Sequence, residues 1–452
     1  MHGLKSEVLN GLLSAGLIVK TGGDLKPAGP LAEQALRLFE PVLRAGRVRL
    51  VPVSLPDCPI HFWTAVFTPQ HSGAQRAESA IVSFAAGGQA DTKEGAAIGC
   101  IGEVAERLTL YSLGQGDPRV SSLTQGEGDA DLAGILGFSK AQNSDLLRVR
   151  MGAHAASQGA VIDWGGLSNR RIRVSNLSNG TAAQLPAFAA LFGETVLETG
   201  LKVGVSSTVG CAVWSDLEGA RERALLELIE RDAVAQAWYN RLGITLLPSA
   251  VLREKISDDL MKYLSERRRK TTICRVETDL PVHVAVAISH RGDGHAAAFG
   301  ACAEWDLGSA MFGAITEMLQ GEISLSAMET AYPDRPHEQG SKIPSQLRYA
   351  RERSIQDDWP VGEASVAASF SEAEVFTYDG LLEALRQKGI TVWEFDATRP
   401  DLGVPCIKLF SPELCTWQPR FGKDRLFKGV VERGLRTEPE REEVFAERPF
   451  PF

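Results

Sequence analysis

Residues 98–112, IGCIGEVAERLTLYS, and residues 220–238, ARERALLELIERDAVAQAW, carry one pattern twice, Glu-x-x-Glu-Arg. It falls at Glu103, Glu106 and Arg107, and again at Glu227, Glu230 and Arg231. Residues three and four apart share a helix face, so each copy aims two carboxylates and a guanidinium in one direction. Ala, Ile, Leu and Val fill the remaining positions, which predicts helices packed into a core. An exposed intrahelical salt bridge is the plainer account of a single copy. Two copies in apolar helices ask for more, because charge there is costly unless it is paired or binds an ion or ligand. Four converging carboxylates suggest a site for cations and the phosphates they carry.

Working outward, each copy follows a plausible strand and a small-residue stretch, IVSFAAGGQAD (81–91) before the first and LKVGVSSTVGCAV (201–213) before the second. The reading is a strand at Ala80–Ala86, a glycine turn at Gly87-Gly88, and a helix from Lys93 to Ser112. Strand, loop and carboxylate helix thus occur twice, which predicts an α/β (α+β) fold with a pseudo-duplicated core and a site between its halves. PVHVAVAIS and HAAAFGACA flank Arg291-Gly292-Asp293-Gly294 and read as a β-hairpin. A third apolar helix is expected at about 307–329, with charge on its greasy surface at Glu317 and with Gln320 three residues on.

Residues 1–75 read as a small N-terminal α+β module for docking or partner contact, with two amphipathic helices and a strand. PQHSGAQRAES, ending at Ser79, is a linker, and the catalytic unit is expected over 80–452. A polar insertion, expected to be exposed, spans about 331–365. The tail EPEREEVFAERPFPF ends in Pro449-Phe450-Pro451-Phe452, and proline limits backbone freedom, so this end can sit in a slot at low entropic cost.

The bulk properties exclude several classes. With 44% hydrophobic and 23% charged residues the chain is ordinary for a globular protein, and 452 residues suffice for a large core. A net charge of −9 argues against a nucleic-acid binder. The one basic cluster, Arg267-Arg268-Arg269-Lys270, closes a polar helix at 253–268 and reads as a solvated end. No apolar run is long enough to span a membrane, and the N-terminus reads as an amphipathic helix, not a signal peptide. Seven scattered cysteines without a C-x-x-C pair argue against disulfides or structural zinc and point to the cytoplasm. His290 and His295 flank the hairpin turn and read as surface residues, and Cys211 reads as a buried small residue.

Several ordered signals together resemble the YcaO-domain proteins. These are GGQADTKEGAAIGCIGEVAER, SSTVGCAVWSDLEGARERALLELIERDA with Trp238, AITEMLQ, DATRPDLGVPCIKLFSPEL, RFGKDRLF and the proline-alternating end. With its extra N-terminal module the chain is similar to the cyclodehydratases that install azolines in ribosomally made peptides. The resemblance implies ATP and Mg²⁺ as cofactors and a ribosomal precursor peptide as substrate. A Cys, Ser or Thr side chain would attack the preceding amide, whose oxygen then takes the γ-phosphoryl group and leaves as phosphate. It implies that Glu103, Glu106, Glu227 and Glu230 hold Mg²⁺, with Arg107 and Arg231 on phosphate oxygens. Gln89 and Ser207 join the nucleotide site, completed by Glu317 and Gln320. The resemblance further implies that Pro449 and Pro451 deliver the Phe452 carboxylate for proton transfer, although a third proline is usual at that last position. It also implies a leader-peptide-binding partner protein, a flavin dehydrogenase and a homo- or hetero-oligomer.

Three positions depart from the family pattern. Gln89 sits where a basic residue is usual, Gly99 where a serine is usual, and Gly219 where an acid is common. A thioamide- or amidine-forming enzyme shares the same amide activation and stays open as an alternative. So does a non-catalytic scaffold in a peptide-modifying complex.

Overall fold

The computed structural model describes residues 3–45, 48–68, 84–123, 128–151, 162–194, 205–242, 244–333, 343–359, 365–366 and 375–452. Beside a two-stranded sheet of Ile18–Thr21 and Asp24–Pro27, three larger sheets organise the described residues, and nearly every pairing in them is antiparallel. The first holds Arg49–Val53, His61–Phe67 and Phe84–Ala90. The second runs Ser121–Ser122, Arg170–Asn176, Trp393–Asp396, Cys406–Phe410 and Cys211–Val213, with Ala182–Pro186 added beside Arg170–Asn176. The third runs Ala298–Glu304, His283–His290, Lys270–Val276, Ile244–Leu246 and Ser365–Val366, whose last joint is parallel.

Each larger sheet ends on an edge strand that turns directly into a carboxylate helix. Phe84–Ala90 leads to Lys93–Thr109, Cys211–Val213 to Leu217–Asn240, and Ala298–Glu304 to Leu307–Ala331. The starts of the three helices match in kind. Thr92, Asp216 and Asp306 are N-caps whose side chains accept from the amides of Gly95, Gly219 and Ser309 at 3.1, 2.8 and 2.9 Å. Such a cap stabilises a helix by about 1 kcal/mol. Four residues past each cap stands a fully buried alanine, Ala96, Ala220 or Ala310, where the helix lies back on its own strand. The two expected units are therefore joined by a third built the same way.

The three units close on one another in a ring. The first helix packs against Cys211–Val213, the second against Ala298–Glu304, and the third against Phe84–Ala90. Gly87 and Gly88 are not a turn, as expected from sequence, but lie mid-strand opposite Thr64 and Trp63. Close approach is the reason. A Cβ on Gly88 would lie 2.2 Å from the Cys100 amide nitrogen and 2.3 Å from the Ala96 oxygen. Gly300 meets Ala314 and Met318 backbone in the same way, at 2.2 and 2.3 Å.

The remaining expectations fare differently from one another. The boundary placed at 75–80 falls outside the described residues, but the strands on either side of it, His61–Phe67 and Phe84–Ala90, are paired. The N-terminal helices Ser6–Ser14 and Pro30–Ala45 share one core with the first carboxylate helix, through Val8, Leu12, Phe39, Ala97 and Cys100. The helix expected at 253–268 is two, Ser249–Lys255 and Asp258–Glu266, because Ser257 caps the second. Arg267 is not a solvated end: its guanidinium pairs with buried Glu322 at 2.9 Å, and Arg269 joins at 3.2 Å. The described part of 331–365 is not simply exposed, since Leu347, Tyr349, Ile355 and Trp359 are buried. His290 is buried too.

Gly88→Ala and Gly300→Ala each force a helix off its strand through backbone contact. Each should cost about 1–3 kcal/mol, read as a lower denaturation midpoint with unchanged slope. Gly102→Ala, whose Cβ meets only the Phe39 ring edge at 3.9 Å, is the control.

Candidate active site

In each unit one glutamate, Glu103, Glu227 or Glu317, is tied to its own edge strand or, for Glu227, to the residue just before that strand. Glu103 accepts from the Gly87 amide, Glu227 from Gly210 at 2.9 Å, and Glu317 from Ala301 at 2.7 Å. An edge strand leaves amides unpaired, and a carboxylate satisfies one of them while being held in place by it. The second polar position of each helix then reaches the next unit. Glu106 faces Cys211, Glu230 faces Cys302, and the Gln320 amide fills the space a side chain at Gly87 would need. Glu103, Glu106, Glu227, Glu230 and Glu317 therefore converge at the centre of the ring, with Gln320 beside them.

Three cations face those five carboxylates. Arg107 donates to Glu103 and to the Ala85 carbonyl. Arg231 donates to Glu227 at 2.9 Å and lies 2.8 Å from Glu230 without hydrogen-bond alignment. Lys408, fully enclosed in the strand Cys406–Phe410, donates to the carbonyls of Ser207, at 2.8 Å, and Val209. Burial pulls its ammonium below the usual lysine range, and nearby Cys211, Glu227 and Glu106 oppose that.

The excess of negative charge is visible in the carboxyls. Burial pushes Glu230 up to about 8, Glu317 and Glu227 reinforce this, and Arg231 opposes it. Glu106 is held well above the carboxylate range by burial, then by Cys211, Glu227 and Glu103. Glu317 is raised by burial and by Glu227 and Glu103, against Arg231 and the Ala301 amide.

The residues fit a magnesium-bound triphosphate by their chemistry. Five acids against three bases leave room for divalent charge. Among the described residues no three acidic, His or Cys side chains stand close enough to hold an ion alone. That suits Mg²⁺, which keeps water and phosphate oxygens in its sphere and takes few carboxylates. One buried donor waits nearby: among the described residues Nε of Arg231 has no hydrogen-bond acceptor, while Nη1 stands 2.8 Å from Glu230 Oε1 as an ion pair.

A sequence profile described as YcaO cyclodehydratase, ATP- and Mg²⁺-binding, matches residues 87–415. The chain belongs to the YcaO family. No curated protein matches it significantly in sequence. Among solved structures it is similar to a heterocyclase in complex with substrate and cofactor, with TM-score 0.75 and 21% identity over 93% of this chain and 57% of that one. It is also similar to the heterocyclase TruD, with TM-score 0.61 and 21% identity over 78% of this chain and 50% of that one. A YcaO protein from Methanopyrus kandleri bound with AMPPCP and Mg²⁺ matches with TM-score 0.58 and 16% identity over 86% and 91%. The chain thus spans about half the length of the first two. These likenesses are of fold. The family itself is one that binds ATP and Mg²⁺.

Not every expected residue reaches the centre. Gln89 stands opposite Phe62 in the first sheet and makes no polar contact with the carboxylates among the described residues. Ser207 takes part through its backbone carbonyl, the acceptor for Lys408. Gly99 leaves open space, with only the Gly88 Cα at 4.0 Å from a built Cβ, whereas Gly219 lies under the Trp214 ring, 2.1 Å from a built Cβ. Pro449 is exposed and Pro451 buried. Phe450 stacks on Trp417 at 4.8 Å, and Phe452 on Phe299 at 5.3 Å. Lys408 was missed from sequence, yet a lysine inside CIKLF, every residue of which is buried, is a detectable signal. No described helix is long and apolar enough to cross a membrane.

The raised carboxyls set a pH dependence. Between 4.5 and about 8 the folded state keeps the Glu230 proton that the unfolded chain has released, so this group makes stability fall as pH rises. Glu230→Gln removes that contribution. Relative to wild type it should gain about 1–2 kcal/mol between about pH 5 and pH 8, measured by denaturant unfolding at both. Parallel pH profiles for the two proteins would contradict the assignment.

Proposed function

We propose that the chain is an ATP- and Mg²⁺-dependent cyclodehydratase of a ribosomal precursor peptide, forming thiazoline or oxazoline from Cys, Ser or Thr. The observation that supports it most is the ring of three carboxylate helices, which gathers five acids around a guanidinium whose Nε–H is free. In a YcaO protein this is the natural seat for magnesium and triphosphate. Glu103, Glu106, Glu227 and Glu230 would carry the metal, which when bound neutralises phosphate charge. Glu317 and Gln320 complete the ring. Arg231 and Arg107 would meet phosphate oxygens, and buried Lys408 holds the Ser207–Val209 loop over the second unit.

In this reaction the substrate thiol or hydroxyl bonds to the preceding amide carbon and loses its proton. The carbonyl oxygen takes the γ-phosphoryl group and departs as inorganic phosphate. The amide nitrogen loses its proton and the C=N bond closes. Positioning and charge neutralisation do most of this work, and a buried site strengthens both. Pro449, Pro451 and Phe452 would wall the substrate side beside Phe299 and Tyr349. The leader-binding protein and the flavin dehydrogenase are proposed as partners on the family resemblance, and cytoplasmic assembly likewise.

The test is phosphate release and peptide mass in a mixture of the protein, ATP, magnesium, its precursor peptide and the leader-binding partner. The expected product lacks one water per ring. Glu230→Gln should keep the fold, to be checked by circular dichroism, and should lose at least about a hundredfold in phosphate release. Wild-type turnover in that variant would remove the site. An oxygen-for-sulfur exchange in the product would replace azoline by thioamide formation, and no phosphate release under any condition would favour a scaffold.

A further inference from the structure

The two arginines of the repeated pattern are held differently. Arg107 spends one Nη on the Ala85 carbonyl and the other on Glu103. Among the described residues no backbone carbonyl accepts from Arg231. Its guanidinium instead lies flat on the Trp417 ring, 3.3 Å from the centroid. A π-face holds a cation without consuming N–H donors. Nε of Arg231 is accordingly buried and, among the described residues, without a hydrogen-bond acceptor, while Nη1 is ion-paired to Glu230 Oε1 at 2.8 Å.

Trp417 is itself braced. Phe450 stacks on it at 4.8 Å between centroids with 15° between planes. Its carbonyl accepts from the Tyr239 hydroxyl at 2.8 Å, and that hydroxyl accepts from the Phe450 amide at 3.3 Å. Nearby, Arg448 donates to the Tyr239 carbonyl at 2.9 Å, and Trp238 Nε1 donates to the Arg448 carbonyl at 3.0 Å. A continuous stack therefore runs from the proline-alternating segment through Trp417 to the guanidinium beside Glu227 and Glu230.

We infer that Trp417 and Phe450 are positioning residues for the nucleotide, which fix Arg231 so that its free Nε–H is presented to a phosphate oxygen. The inference rests on the proposed ATP-dependent function. It makes the aromatic tail part of the nucleotide machinery, in addition to any contact with the peptide.

The experiment is calorimetric titration of the full chain with a non-hydrolysable ATP analogue and magnesium. Trp417→Leu keeps bulk but removes the ring face, and the dissociation constant should rise about tenfold. Trp417→Phe restores a face and should stay within about threefold of wild type. Phe450→Ala should weaken binding in the same direction, and it decides the question alone if Trp417→Leu fails to fold. Tight binding by Trp417→Leu and Phe450→Ala, or equal weakening by Trp417→Phe and Trp417→Leu, overturns the inference while leaving the function standing. Absence of binding by the wild type overturns both.

Discussion

A carboxylate on a helix accepting an amide of the edge strand beneath it, or of the residue that leads into that strand, is the contact on which this protein is built. It occurs at Glu103, Glu227 and Glu317. Each contact does two things at once. It caps the loose hydrogen-bonding edge of a sheet, and it fixes a negative charge at a defined point facing the other two units. The surrounding apolar packing makes this both necessary and possible. Buried alanines and glycines bring helix and strand together, and the resulting low dielectric makes an unheld charge expensive.

The ring closure then converts three local devices into one site. Because each helix leans on the strand of the next unit, its second polar residue falls into the neighbour's territory. Glu106 and Glu230 end up buried beside carboxylates far away in sequence, and burial first, then those carboxylates, makes them hold their protons more tightly. Like charges crowded in a dry place store the tendency to bind a cation. Arg107, Arg231 and Lys408 offset that crowding only in part. The uneven support of the two arginines shows how a repeated motif is specialised. One is held by a backbone carbonyl and its own glutamate, while the other is laid on an aromatic ring between two glutamates, with its Nε–H to spare.

The sequence was most legible where periodicity and charge coincide. The carboxylate helices, the hairpin at 283–304 and the family could be read from residue spacing and motif order. It was least legible where the partner is distant. Gly87-Gly88 reads as a turn by composition, but only the approach of Ala96 and Cys100 explains two glycines in a paired strand. Arg267 reads as a solvated helix end because its partner, Glu322, lies on another helix 55 residues away. Lys408 reads as part of a strand because its acceptors are carbonyls about 200 residues earlier.

The chain by itself determined which residues are helical, which carry charge into apolar surroundings, and that the same cap, alanine and glutamate recur three times at matching spacing. These are local properties, set by side-chain chemistry within a few turns of backbone. Tertiary structure alone decided that the repeats face one another in a ring, that Glu317 ranks with Glu103 and Glu227, and that Trp417 lies under Arg231. Those outcomes depend on where edge strands meet foreign helices, and a Coulomb or π contact acts through space with no regard for separation along the chain.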